Sequence, residues 1–264
     1  MLRGPEARVI ALFLLAFVLH QAGIFVYGNN SSFGWFLSLM YVAVALCAVL
    51  FIKRESSQFS KHGFLLPGGT GRYVAMAVFF GFVYAFIMIF IPGAISGFDA
   101  FPGASLSWGT FLTAGSILLA SIASETVFRG YVQTELEADR GFYVAAIVVS
   151  ALFTLYMFPI ASYWTGSLTD LIGALLPFLA ESAFLCFFFK EAKTILCPVV
   201  FTATVGLLMT FTPLEALNRD YTLALSIVAY VILIPIMQSF VADVGHQDER
   251  RDDTAIVESE DQED

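Results

Sequence analysis

Apolar stretches long enough to cross a bilayer recur along the whole chain, and this constrains its fold more than anything else. They run Val9 to Tyr27, Phe33 to Ile52, Tyr73 to Ile95, Trp108 to about Val127, Val144 to about Ile160, Leu171 to Phe189, Ile195 to Phe211 and Leu223 to Val241. A hydrocarbon core of about 30 Å needs ~20 helical residues, so the pattern predicts about eight transmembrane helices, the fifth and seventh short. In lipid every backbone polar group must be satisfied within the protein, which leaves helices as the spanning element for runs of this length. The expected class is an all-α, polytopic membrane helical bundle. With 58% hydrophobic and 13% charged residues in 264, the apolar side chains exceed what a water-soluble globule could enclose.

The net charge of -9 arises largely from the end of the chain, where Asp252, Asp253, Glu258, Glu260, Asp261, Glu263 and Asp264 crowd together. The expected organisation is a helical bundle over residues 1–242 followed by an acidic, disordered tail over 243–264. An acidic balance argues against nucleic acid as a partner, which requires a basic face. Cys47, Cys186 and Cys197 are odd in number and set among apolar residues, and read as small core side chains rather than disulfides or metal ligands. Zinc needs three or four converging ligands; His20 is intramembrane, His62 lies in a basic loop and His246 in the tail, so no metal or other cofactor is expected.

Basic residues define an orientation, because cytoplasmic loops collect Lys and Arg. Arg3 and Arg8, then Lys53, Arg54, Lys61 and Arg72, then Arg129 and Arg140, then Lys190 and Lys193, then Arg250 and Arg251 fall in alternate connections. The other side holds Arg219. Both termini are therefore expected in the cytoplasm, with Asn30, Asp99, Trp164 and Arg219 outside. The glycine-rich loop Ser56 to Gly71 lacks the strand and helix context of a phosphate site and reads as a linker.

One stretch carries chemistry. Ser124-Glu125-Thr126-Val127-Phe128-Arg129-Gly130 places an acid and a base four residues apart at the end of an apolar run, on one helical face and in the favoured order. Intramembrane ionisable residues are by default paired or functional. The stretch resembles the Glu-Glu-x-x-x-Arg motif, often extended as Phe-Arg-Gly, of the CAAX-protease and bacteriocin-processing (CPBP) family of intramembrane proteases, with Ser124 at the first acid. The likeness continues in order through Phe153, where a Phe-x-x-x-His motif would put its histidine at Met157. It then reaches Ile195 to Val200, where a His-x-x-x-Asn/Asp motif would fall on Thr202 and Gly206. A CPBP-like core thus covers residues 108–208.

The resemblance implies a CAAX-protease-like integral membrane protein, multi-pass in the cell membrane, whose partners are the bilayer and membrane-embedded or prenylated protein segments. Peptide hydrolysis in this family needs a glutamate base, histidines holding the water and a polar group for the oxyanion. Here Glu125 remains while Ser124, Met157, Thr202 and Gly206 replace the other members. The expected function is therefore binding by an impaired or non-catalytic member of the family. The alternatives are a divergent but active CAAX-type endopeptidase, in which Glu181 in the sixth apolar run supplies a second carboxylate, and a small transporter-like bundle.

Overall fold

The structure, a computed structural model, describes residues 4–29, 34–55, 59–96, 108–163, 168–210 and 224–240. Among these residues there are helices and turns and no strand. In chain order the helices are α1 (Pro5–Asn29), α2 (Gly34–Glu55), α3 (Thr70–Ser96) and α4 (Trp108–Glu125), a π-helical segment (Thr126–Gln133), then α5 (Thr134–Arg140), α6 (Phe142–Tyr163), α7 (Leu168–Ala192), α8 (Leu196–Thr210) and α9 (Ala224–Phe240). Local chemistry agrees with the boundaries. Pro5 opens α1 where a missing N–H is harmless, Glu6 favours its first turn, and Lys53 and Arg54 favour the last turn of α2.

Five passages are long and apolar enough to cross a membrane: Pro5–Gly28, Gly34–Arg54, Thr70–Ala94, Phe111–Arg140 and Leu171–Ala192. Three shorter apolar helices, Phe142–Phe158, Leu196–Thr210 and Ala224–Phe240, occupy the remaining expected runs. The described residues form an all-helical bundle, and the chain is an integral membrane protein. The segments 97–107, 164–167, 211–223 and 241–264, with Asn30, Asp99, Trp164, Arg219 and the acidic tail, lie outside the described residues.

Two apolar cores form. One gathers α1, α2, the π-helical segment and α6 around Leu12, Val44, Phe128, Tyr131 and Phe153; the other gathers α3, α7, α8 and α9 around Phe80, Phe184, Phe188, Phe201 and Tyr230. Helix α7 runs along the seam, giving Cys186 to the first core and Phe184 and Phe188 to the second. Glycines permit the close approaches that replace hydrophobic driving force between helices in lipid. A Cβ at Gly23 would stand 2.8 Å from Leu37, at Gly81 2.9 Å from Thr204, and at Gly206 2.6 Å from Ile117. These mark the α1/α2, α3/α8 and α4/α8 crossings.

Several basic-bearing segments meet at one end of the bundle. Arg140 pairs with Glu6, Lys61 Nζ with Glu135 Oε1 at 3.0 Å, and the Ile195 amide donates to Gly63 O at 3.0 Å. The start of α1, the loop after α2, α5 and the link after α7 thus share a face. Arg129 does not belong to that set. It was counted with the loop residues, but the chain stays helical to Arg140 and buries Arg129 fully inside the bundle.

The linker reading of Ser56 to Gly71 also needs correction over 59–64. Phe59 O accepts from the amides of His62 and Phe64, and His62 is fully buried. Gly63 adopts φ +74, a left-handed conformation in which a Cβ would also stand 2.7 Å from Phe189.

A candidate site around Glu125 and Arg129

Glu125 ends α4 and Arg129 lies one turn on, where the helix has widened to π geometry. Every residue of that segment is buried, because α1, α2, α6 and α7 all pack on it. Both charges are fully removed from solvent. Arg129 Nη1 donates to Glu125 Oε1 at 3.3 Å, while Nε and Oε2, also 3.3 Å apart, are not aligned for a hydrogen bond.

Arg129 has stronger partners on α7. Its Nη2 donates to Ser182 Oγ at 2.8 Å and Ser182 O at 3.0 Å, and its guanidinium lies 4.9 Å from the centre of the Phe153 ring. Phe153 in turn meets Phe128 edge-on at 5.2 Å. The arginine is thereby held by a carboxylate, a hydroxyl, a carbonyl and a π face. A planar, always-charged fork suits such a buried position better than an ammonium.

Glu181, one residue before Ser182, is partly buried and within electrostatic reach of both Glu125 and Arg129. It also feels Tyr84 and Tyr230, which stack at 4.5 Å beside the Tyr84–Ser226 hydroxyl contact of 2.6 Å. A polar strip therefore crosses the seam from α4 through α7 to α3 and α9. Gln133 extends it toward the end of the bundle by donating to Cys186 O at 3.1 Å.

The other motif-equivalent positions behave differently. Ser124 donates to Ser121 O at 3.2 Å, and Thr202 to Pro198 O at 3.0 Å and Val199 O at 3.2 Å, so both hydroxyls are spent on their own helices. Met157 packs against the first core. Gly206 is pressed against Ile117, which fills the space a longer side chain would need. Among the described residues no group of three His, Cys, Asp or Glu converges as a metal site.

An apolar groove of about 580 Å³ runs between α4 and α8, lined by Leu118, Ile122, Val199, Ala203 and Leu207 and bounded also by Gly63, Phe64 and Ile195. Ile122 stands one turn before Glu125 on the same helix.

Two histidines make contacts that the sequence does not indicate. His62 Nδ1 lies 2.7 Å from Gly130 O and its Nε2 3.9 Å from Glu135 Oε1. In a π-helical turn the backbone ladder is irregular, and here the carbonyls of Arg129 and Gly130 are met by Thr134 Oγ1 at 3.2 Å and by His62. His20 is 1% exposed, and neither ring nitrogen has a hydrogen-bond partner among the described residues. Nothing in the local pattern foretells either contact, since each joins residues more than sixty positions apart in sequence.

Fold and site together define a membrane-embedded helical bundle built around a buried Glu-x-x-x-Arg pair. Residues 106–208 match the family described as type II CAAX prenyl endopeptidase Rce1-like, and the match supports an assignment to the CPBP and CAAX proteases. A comparison with curated proteins finds none that matches.

Proposed function

We propose that this CAAX-protease-like membrane protein binds prenylated or membrane-embedded protein segments without hydrolysing them. One observation carries the reading: an apolar groove starts one helical turn from Glu125 at Ile122, while Ser124, Met157, Thr202 and Gly206 do not line it and the Ser124 and Thr202 hydroxyls are spent on their own helices. Hydrolysis needs a base, an activated water and donors for the tetrahedral oxyanion. Glu125 engages Arg129, Thr202 engages its own helix, Met157 has no proton to move and Gly206 has no side chain. Losing one member of a cooperating catalytic set removes most of its rate, so losing several leaves little beyond binding. The groove remains suited to an apolar chain, since its walls are Leu, Ile, Val and Ala.

The proposed setting is the cell membrane, with residues 1–242 forming the bundle, both termini cytoplasmic and the 243–264 tail an acidic appendage. The test assays turnover of a prenylated CAAX-type peptide beside an E125Q variant, with a family member bearing intact motifs as positive control. No cleavage above background is expected from either form, while binding of the labelled peptide persists and is lost in I122W. Cleavage by the native chain that disappears in E125Q overturns the reading.

A second reading, a divergent endopeptidase, draws on Glu181 lying within reach of Glu125. It requires turnover that falls in E181Q as well as E125Q.

A further inference from the structure

Away from the Glu125–Arg129 pair, three helices converge on polar groups that have no hydrogen-bond partner among the described residues. The His20 ring of α1 stacks on Tyr156 of α6 with centroids 4.1 Å apart and planes inclined by 22°. Both His20 nitrogens and the Tyr156 hydroxyl are buried and without a hydrogen-bond partner. Tyr41 of α2 closes the third side, its ring 5.8 Å from His20 and its phenol within electrostatic reach of Tyr156. Buried polar side chains are nearly always paired, and an apolar pair of the same shape would satisfy packing equally well.

The chemistry of the orphans selects their complement. A neutral imidazole presents one donor and one acceptor, and a phenol can act as either. A group that both donates and accepts is required, and a hydroxyl is the simplest. Tyr41 also lines a groove of about 500 Å³ between α2 and α4, together with Leu37, Leu112, Ile117, Ser38 and Ser116. The two serine hydroxyls bond each other at 2.7 Å, and no charged residue lines the groove. A water occupies about 30 Å³, so a largely apolar groove of this size suits a hydrocarbon chain far better.

We propose that His20 and Tyr156 hold the hydroxyl head of an uncharged membrane amphiphile whose chain lies in the groove between α2 and α4. The experiment reconstitutes the full chain in phosphatidylcholine nanodiscs and adds diacylglycerol, its methyl ether or a fatty acid. A ligand that binds only the folded state raises the melting temperature. The free alcohol is expected to raise that of the native protein by roughly 2–4 °C, while the methyl ether and the charged acid have little effect. The H20F/Y156F variant is expected to melt no lower than the native protein without added lipid and to lose the response. Y156F alone, a milder change, is expected to weaken it. A diazirine-bearing diacylglycerol should label α2 and α4 near Leu37 and Ile117. Three results would each overturn the proposal: a native protein indifferent to the alcohol, as for a site holding only water; an equal response to the ether; or an unchanged response in both variants.

Discussion

Arg129 shows how a single residue can be structural in one sense and diagnostic in another. It is fully buried, pairs with Glu125 at 3.3 Å and donates twice to Ser182. Removing one partner of a buried pair strands the other charge and costs about 3–5 kcal/mol, whereas replacing both with apolar residues is milder. Arg129→Ala is therefore expected to lower the melting temperature in detergent sharply, with partial recovery in a Glu125→Leu/Arg129→Met double variant. Equal losses in both would count against the pair. Gly206 offers a complementary test. Restoring the family's amide there as Gly206→Asn pushes a Cβ to within 2.6 Å of Ile117, and overpacking of this kind costs typically 1–3 kcal/mol. The single variant should be less stable and the Gly206→Asn/Ile117→Ala variant should recover; a fully stable Gly206→Asn protein would show that α4 and α8 move apart freely.

The π-helical segment is the element on which the site depends. It carries Phe128, Arg129 and Gly130, and it is held from outside by the loop 59–64 through His62 and from α5 through Thr134. His62→Ala leaves the Gly130 carbonyl without its side-chain partner in a buried place, a loss of about 1–3 kcal/mol. The expected result is faster hydrogen exchange over residues 130–135 and cleavage of the 59–69 loop by added protease, with α3 and α9 unaffected. Exchange unchanged from the native protein would mean that the loop merely lies against the segment. Helix α7 matters for a related reason. Pro177 removes one backbone donor a turn before Glu181 and Ser182, where a break in the ladder gives the helix room to adjust against both cores.

At the scale of the whole molecule, the meeting of Glu6 with Arg140, Lys61 with Glu135 and Gly63 with Ile195 puts four segments on one face. The positive-inside rule predicts that this face is cytoplasmic. Single cysteines introduced at positions 61, 140 and 193 should therefore be protected from an impermeant maleimide in intact cells and be labelled in inverted vesicles. Labelling of position 61 from outside would reverse or break the scheme.

Helix number and position were legible in the chain because spanning runs must be apolar throughout their length, and each expected run corresponds to a helix among the described residues. The Glu125–Arg129 pair was legible for a similar reason, since a spacing of four brings two side chains together whatever surrounds them. Local spacing says nothing about the rest. The loop that seats His62 under Gly130, the stacking of His20 on Tyr156 and the pressure of Ile117 on Gly206 are contacts between distant parts of the sequence. They exist only once the helices have packed, because close approach in lipid is decided by the fit of small and large residues across helix faces rather than by the pattern along any one of them.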